Sequence, residues 1–156
     1  DLYCGVGFFS LALAKEFGNV IGIEGVEGAI RRARNNAANN YLKADFSTGI
    51  VDDLIDDKLS RLDRPFVVVD PARRGLERYV IDALHKYLPC AIAYISCSPR
   101  SFSEDLECFV SLGWQVSSIR AYDMIPNSAH IEMMAILEPS SSLLSQFRKP
   151  LRKVVR

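Results

Sequence analysis

"WQVSSIRAYDMIPNSAHIEMMAILE", residues 114–138, decides the fold. Two apolar runs, 114–123 and 130–138, stand on either side of the turn-rich "MIPNS". No helix-length segment separates them, so the two strands are expected to pair antiparallel, because a parallel pair needs a crossover of a dozen or more residues. The chain before them reads differently. Short apolar runs alternate there with segments of helical period, which is the signature of a parallel sheet with crossover helices.

The clearest upstream strand is "PFVVVD" (65–70). "NVIGIE" (19–24) and "CAIAYIS" (90–96) read as two more, a weak strand lies near Tyr41 to Phe46, and a strand end lies near Asp1 to Cys4. Helical period predicts helices over Phe8 to Phe17, Glu27 to Asn40, about Gly49 to Leu62, 76–88, and 103–113 with a C-terminal glycine. Five strand–helix repeats closed by an antiparallel pair describe an α/β doubly wound sheet, mostly parallel. One domain is expected over 1–138, followed by a Ser-rich link and basic tail over 139–156, the tail read as a solvated charge run. The first strand opens directly on a glycine turn with no apolar residues before it. It is therefore expected to begin upstream of Asp1, and residues 1–156 alone are expected to expose apolar surface.

Composition narrows the function classes. At 156 residues the chain holds one core, burying roughly 68–70% of its unfolded surface. Lys+Arg and Asp+Glu stand at 19 each, so no overall field draws a polyanion, and any such partner must be held locally. Cys4, Cys90, Cys97 and Cys108 form no C-x-x-C pair and only two histidines accompany them, so neither a metal site nor a redox pair is expected. Free thiols fit a cytosolic, reducing compartment. No apolar run approaches the length of about 18 residues that spans a membrane, and no signal peptide heads the chain.

Two groups of residues carry chemistry. Gly5 and Gly7 follow a strand and precede a helix, where backbone approaches a ligand closely. Glu24 ends the next strand, where a carboxylate can take both hydroxyls of a ribose. Cys4 replaces the first glycine of the dinucleotide fingerprint and no third glycine follows, so a pyrophosphate fits poorly. S-adenosylmethionine, which has no phosphate, fits better. Asp45 is read either as an acceptor for an adenine amino group or as a solvated loop acid. Cys4 is read as packing.

The second group lies at the carboxyl ends of strands 65–70 and 90–96, the edge where open α/β sheets bind ligands. It comprises Asp70-Pro71-Ala72-Arg73-Arg74-Gly75 and Ser96-Cys97-Ser98-Pro99. A thiol there can attack carbon 6 of a pyrimidine and make carbon 5 nucleophilic toward a methyl donor, provided that a base later removes the carbon 5 proton. Cys97 is otherwise a buried filler, and Glu132 otherwise the head of an exposed strand. The apolar "MMAIL" after Glu132 favours a carboxylate aimed into a cleft. His130 is read as orienting or packing, and Arg73 and Arg74 either as phosphate contacts or as plain surface.

"DLYCGVGFFSLALA", "NNAANN", "VVVDPARRGL", "YISCSPRSFSEDL" and "DMIPNSAHIEMMAIL" resemble, in order and from Asp1 to about Leu137, motifs of the S-adenosylmethionine-dependent RNA uracil-C5 methyltransferases. These enzymes make 5-methyluridine in tRNA and rRNA. The resemblance implies a class I methyltransferase (Rossmann-like) fold, an RNA partner, S-adenosylmethionine as cofactor, no membrane association, and a complete protein that acts as a monomer. It implies that Cys97 is the nucleophile and Glu132 the base, that Asp70 helps to hold the target base or the donor, and that Asp1, Gly5, Gly7, Glu24 and Asp45 line the donor site. The family pattern has proline where Ala72 stands and asparagine where Ser98 stands, and neither change removes a reacting group. The family has a base-contacting glutamine motif, an N-terminal RNA-binding domain and often iron–sulfur cysteines, and none of these is located in residues 1–156.

Two alternatives remain. An RNA cytosine-C5 methyltransferase shares "SCS" but expects a second cysteine after the 65–70 strand, where Ala72 and Arg73 stand. The other alternative is a non-catalytic RNA-binding module on the same fold.

Overall fold

The structure, a computed structural model, describes residues 1–128 and 130–147. The basic tail beyond Phe147 lies outside the described residues. Six strands and six helices follow in the order α1 (Phe8–Leu13), β1 (Ile21–Glu24), α2 (Glu27–Asn39), β2 (Asp45–Thr48), α3 (Val51–Leu59), β3 (Phe66–Val69), α4 (Arg78–Tyr87), β4 (Ala91–Ser96), α5 (Pro99–Ser111), β5 (Trp114–Tyr122), β6 (Glu132–Pro139) and α6 (Ser141–Phe147). The β1–β2 pair and the β3–β4–β6–β5 sheet meet at Leu2, which bridges in parallel to both Ile23 and Val69. Only β6 runs against the others, pairing antiparallel with β4 on one side and β5 on the other.

Apolar alternation decides which face each strand buries. Val67 and Val69 of β3, Ile92 and Tyr94 of β4, and Ala135 and Leu137 of β6 join the large core beneath α3, α4 and α5. A smaller cluster of Cys4, Ile30, Ala33, Ala37 and Phe46 lies on the opposite face under α2. Gly7 caps α1 in a left-handed conformation (φ 86°), and a Cβ there would lie 3.2 Å from both Ala33 and the Phe46 ring. This glycine therefore serves packing between the turn, α2 and β2. Ile95, Met134 and Ile136, also on the second face, remain half-buried.

Several expected boundaries move. The weak strand expected at 41–46 forms instead at Asp45–Thr48, because Tyr41 takes a left-handed turn (φ 56°) and faces solvent. α1 stops at Leu13, four residues early, and the Phe17 ring then stacks on Phe66 at 6.0 Å. The segment expected as a Ser-rich link is helical over Ser141–Phe147. Ser140 Oγ accepts from the Leu143 N–H (3.1 Å), which caps the helix, and Leu143 is buried in the large core. The domain therefore does not end at 138.

Candidate active site

Two adjoining regions form the carboxyl edge of the sheet. In the first, the turn after Leu2 alternates left-handed residues, Tyr3 (φ 64°), Gly5 (φ 53°) and Gly7. Glu24, at the end of β1, accepts from the Gly5 N–H (3.2 Å) through Oε2 and from the Val26 N–H (2.8 Å) through Oε1, tying this turn to the start of α2. Asp1 Oδ2 accepts from Ser10 Oγ (2.6 Å), while its buried Oδ1 has no partner among the described residues. A Cβ on Gly5 would meet nothing within 4 Å. The turn thus offers an open backbone surface beside the Asp1 and Glu24 carboxylates, which fits a cationic, phosphate-free nucleoside donor. Two residues that the sequence reading missed stand beside it. Val26 and Ile50 are exposed apolar N-cap residues of α2 and α3, just past the ends of the adjacent strands β1 and β2. The available signal was an apolar residue where a polar cap is the rule.

Asp45 does not join this group. The register pairs Asp45 with Ile21, so it stands at the amino end of β2, on the opposite edge of the sheet from Glu24. Once the strand moves to 45–48, the residues at its carboxyl end are Thr48 and Gly49, and the Gly49 N–H donates to the Glu24 carbonyl (3.0 Å).

In the second region, Asp70, Cys97 and Glu132 share a cleft of about 540 Å³, with Phe8, Phe9 and Met124 among its apolar walls. Strand pairing brings them together. β4 and β6 are in register as far as Ser96 opposite Met133, and continuing that register by one residue leads to Cys97 and Glu132. Directly opposed antiparallel residues share a face, with Cβ atoms about 4.5–5.5 Å apart. Asp70 follows Val69, which pairs with Tyr94 on the other side of β4. Burial, and secondarily the Glu132 carboxylate, hold the proton affinity of Asp70 above its ordinary value. No hydrogen bond within the protein engages the Cys97 thiol or the Asp70 and Glu132 carboxylates among the described residues.

Cys97 sits at a sharp elbow. Ser98 is the N-cap of α5 with Pro99 at the first helical position, so the helix starts four residues earlier than periodicity predicted. The Ser-Pro pair was the missed signal. The Ser98 N–H donates to Ser96 Oγ (3.1 Å), closing the turn on either side of the half-buried cysteine. Cys4 contrasts with it: buried in the smaller cluster, its thiol is pushed up to about 11 by burial, which suits packing. Arg73 Nη2 lies 3.0 Å from His130 Nδ1 in an exposed contact, whereas Arg74 pairs with Glu77 on the surface (3.4 Å). A smaller cavity of about 200 Å³ near Phe17, Ile21 and Phe66, at the amino ends of the strands, joins no nucleophile to a base.

Comparison with known proteins covers both regions. Residues 1–69 match a general methyltransferase domain, and residues 50–140, more than half the chain, match the tRNA (uracil-5-)-methyltransferase family. An uncharacterized RNA methyltransferase of Caldanaerobacter subterraneus is 40% identical over 141 residues, covering 90% of this chain and 31% of that protein. The 23S rRNA (uracil(1939)-C(5))-methyltransferase of Shewanella sediminis is also 40% identical over 141 residues, with 88% and 31% covered. The crystal structure of the Pyrococcus abyssi tRNA (uracil-54, C5)-methyltransferase in complex with S-adenosyl-L-homocysteine superposes with a TM-score of 0.75 at 34% identity, covering 88% of this chain and 33% of that one. The chain spans about a third of the length of these relatives. The mostly parallel methyltransferase fold with its reversed strand, and a family pattern that runs through both the Asp70 loop and the Cys97 elbow, lead to one assignment: the chain belongs to the tRNA (uracil-5-)-methyltransferase family.

Proposed function

We propose that the full-length protein transfers a methyl group from S-adenosylmethionine to carbon 5 of a uridine in RNA, through a transient bond between Cys97 and carbon 6. The observation that carries this reading is the cleft in which the β4–β6 register, continued by one residue, leads to Cys97 and Glu132 with Asp70 alongside. The relatives named for uracil-C5 methylation of rRNA and tRNA support the same substrate class.

The donor, when bound, supplies an electrophilic methyl group on a sulfonium. Asp1, Gly5 and Glu24 would hold it, and the exposed apolar Val26 and Ile50 would offer it contact. The Cys97 thiolate adds to carbon 6 of the uracil, and the displaced electron pair makes carbon 5 a nucleophile, which takes the methyl group as the sulfonium becomes a neutral thioether. Glu132 removes the proton left on carbon 5. The electron pair of that bond re-forms the ring double bond and expels the Cys97 thiolate. Asp70, with its raised proton affinity, holds the base edge by hydrogen bonding. The target must leave its stack to reach the cleft, at a cost of a few kcal/mol. Among the described residues no helix is long and apolar enough to cross a membrane.

Incubating the full-length protein with methyl-labelled donor and cellular RNA, followed by nucleoside analysis, tests this reading. Label in 5-methyluridine is expected. Label in 5-methylcytidine would shift the assignment to the cytosine enzymes, and donor binding with no label in RNA would leave a non-catalytic module.

A further inference from the structure

Behind the cleft, two buried side chains of α5 grip the loop that follows β3. Ser101 Oγ donates to the Arg73 carbonyl (2.9 Å). One turn further along, Asp105 Oδ2 accepts from the Leu76 N–H (2.9 Å) and from the Tyr94 O–H (2.5 Å). Ser101 is 6% exposed and Asp105 8%. The grip closes on Gly75, whose φ is +83° and whose hypothetical Cβ would lie 2.6 Å from Asp105 Oδ2 and 2.9 Å from Ser101 Cβ. Any side chain there would force the helix and loop apart.

The held loop carries Asp70 into the cleft and sets Arg73 against His130, two residues before Glu132, and α5 begins two residues after Cys97. One helix face therefore sets the position of the Asp70 loop against the Cys97 elbow. Apolar contact alone would hold a helix on a core without directionality. A buried carboxylate is costly, and burial raises the proton affinity of Asp105. What it provides in return is two directional bonds, one to the loop and one to β4, the strand that ends one residue before Cys97.

We propose that Ser101 and Asp105 are positioning residues, which fix Asp70 and Arg73 relative to Cys97 so that carbon 6 of the base lies within reach of the thiolate. This rests on the reading of Cys97 as the nucleophile. Losing the grip slows bond formation to the base and leaves donor affinity unchanged, because Asp1, Gly5 and Glu24 make their hydrogen bonds to other groups.

RNA carrying 5-fluorouridine at the target position provides the test. Fluorine cannot leave carbon 5 as a proton does, so the Cys97 adduct persists and its rate of appearance in denaturing electrophoresis reports the steps up to methyl transfer. In the full-length protein, Ser101→Ala and Asp105→Ala should form adduct roughly 10- to 100-fold more slowly per folded molecule, the range expected for misplacement of about 1 Å. Their donor dissociation constants should stay within about twofold of wild type, well under the tenfold that 1.4 kcal/mol represents. Asp105→Asn, which keeps an acceptor oxygen, should recover most of the rate. Should Asp105→Ala fail to fold, Ser101→Ala and Tyr94→Phe carry the test. Phe109→Leu, a core change on the same helix away from the loop, should form adduct at the wild-type rate per folded molecule. Wild-type adduct rates in Ser101→Ala and Tyr94→Phe, or donor affinity falling in step with rate, would overturn the proposal. A wild type that forms no adduct would overturn the nucleophile reading beneath it.

Discussion

The two halves of the carboxyl edge are built in opposite ways. On the donor side, polar side chains are engaged by the protein itself: Glu24 holds two backbone N–H groups and Asp1 holds the Ser10 hydroxyl. On the reacting side, Cys97, Asp70 and Glu132 face a shared cleft with no such partners among the described residues, and two of the three are carboxylates close enough for one to raise the other's proton affinity. The first arrangement shapes a backbone surface for a ligand. The second leaves a thiol and two carboxylates without protein partners at an energetic cost that the fold must offset elsewhere, as the proposed chemistry requires. Substitutions should therefore separate binding from chemistry.

The largest effect is expected at Cys97. Cys97→Ala should lower methyl transfer by at least about 10⁴-fold, the scale seen when a nucleophile is removed, while donor affinity by calorimetric titration stays unchanged. Cys4, Cys90 and Cys108 should tolerate Ala with activity retained, and equal loss on replacing Cys108 would break the division between the halves. Glu24 should give the converse. Glu24→Ala is expected to weaken donor binding roughly 10- to 100-fold, at about 1.4 kcal/mol per factor of ten, since it both loses a ligand contact and frees the Gly5 turn. With saturating donor, its rate of adduct formation with RNA should approach wild type.

A smaller effect, in stability, sharpens the contrast further. Asp70 has a folded-state proton affinity raised by burial and by Glu132, so the native state binds more protons than the unfolded state between the ordinary aspartate value and the raised one. Stability therefore falls as pH rises through that window. Asp70→Asn should abolish this loss and raise Tm near neutral pH. The gain should shrink toward zero in acid, where Asp70 is protonated in the wild type too. A stabilised but slow enzyme is the expected outcome, and a destabilised one at neutral pH would show that Asp70 serves the fold.

Sequence patterns carried much of the architecture and only part of the site. The run at 114–138 announced its antiparallel pair because the turn between the strands is too short for a crossover, and the pair forms from Trp114 to Pro139. That β6 inserts between β4 and β5 was not legible, since connection length constrains direction and says little about which strand becomes a neighbour. The meeting of Cys97 and Glu132 in one cleft follows from that insertion, so pattern named both residues but not the geometry that unites them. Asp45 failed for a local reason. "YLKADF" contains alternating apolar residues, but the left-handed Tyr41 shifts the strand onward and leaves the carboxylate at the wrong end. The grip of Ser101 and Asp105 on Gly75 was hidden because buried polar contacts leave no periodic trace.

The central claim is that Glu132 is the base that completes turnover at Cys97, and Glu132→Gln tests it most directly. In the full-length protein with RNA and methyl-labelled donor, the variant should still form the Cys97–carbon 6 bond and transfer the methyl group, yet fail to remove the carbon 5 proton. A labelled RNA–protein adduct should then accumulate, survive denaturing electrophoresis, and vanish in the Cys97→Ala double variant. Free 5-methyluridine produced at the wild-type rate, with no trapped adduct, would contradict the account.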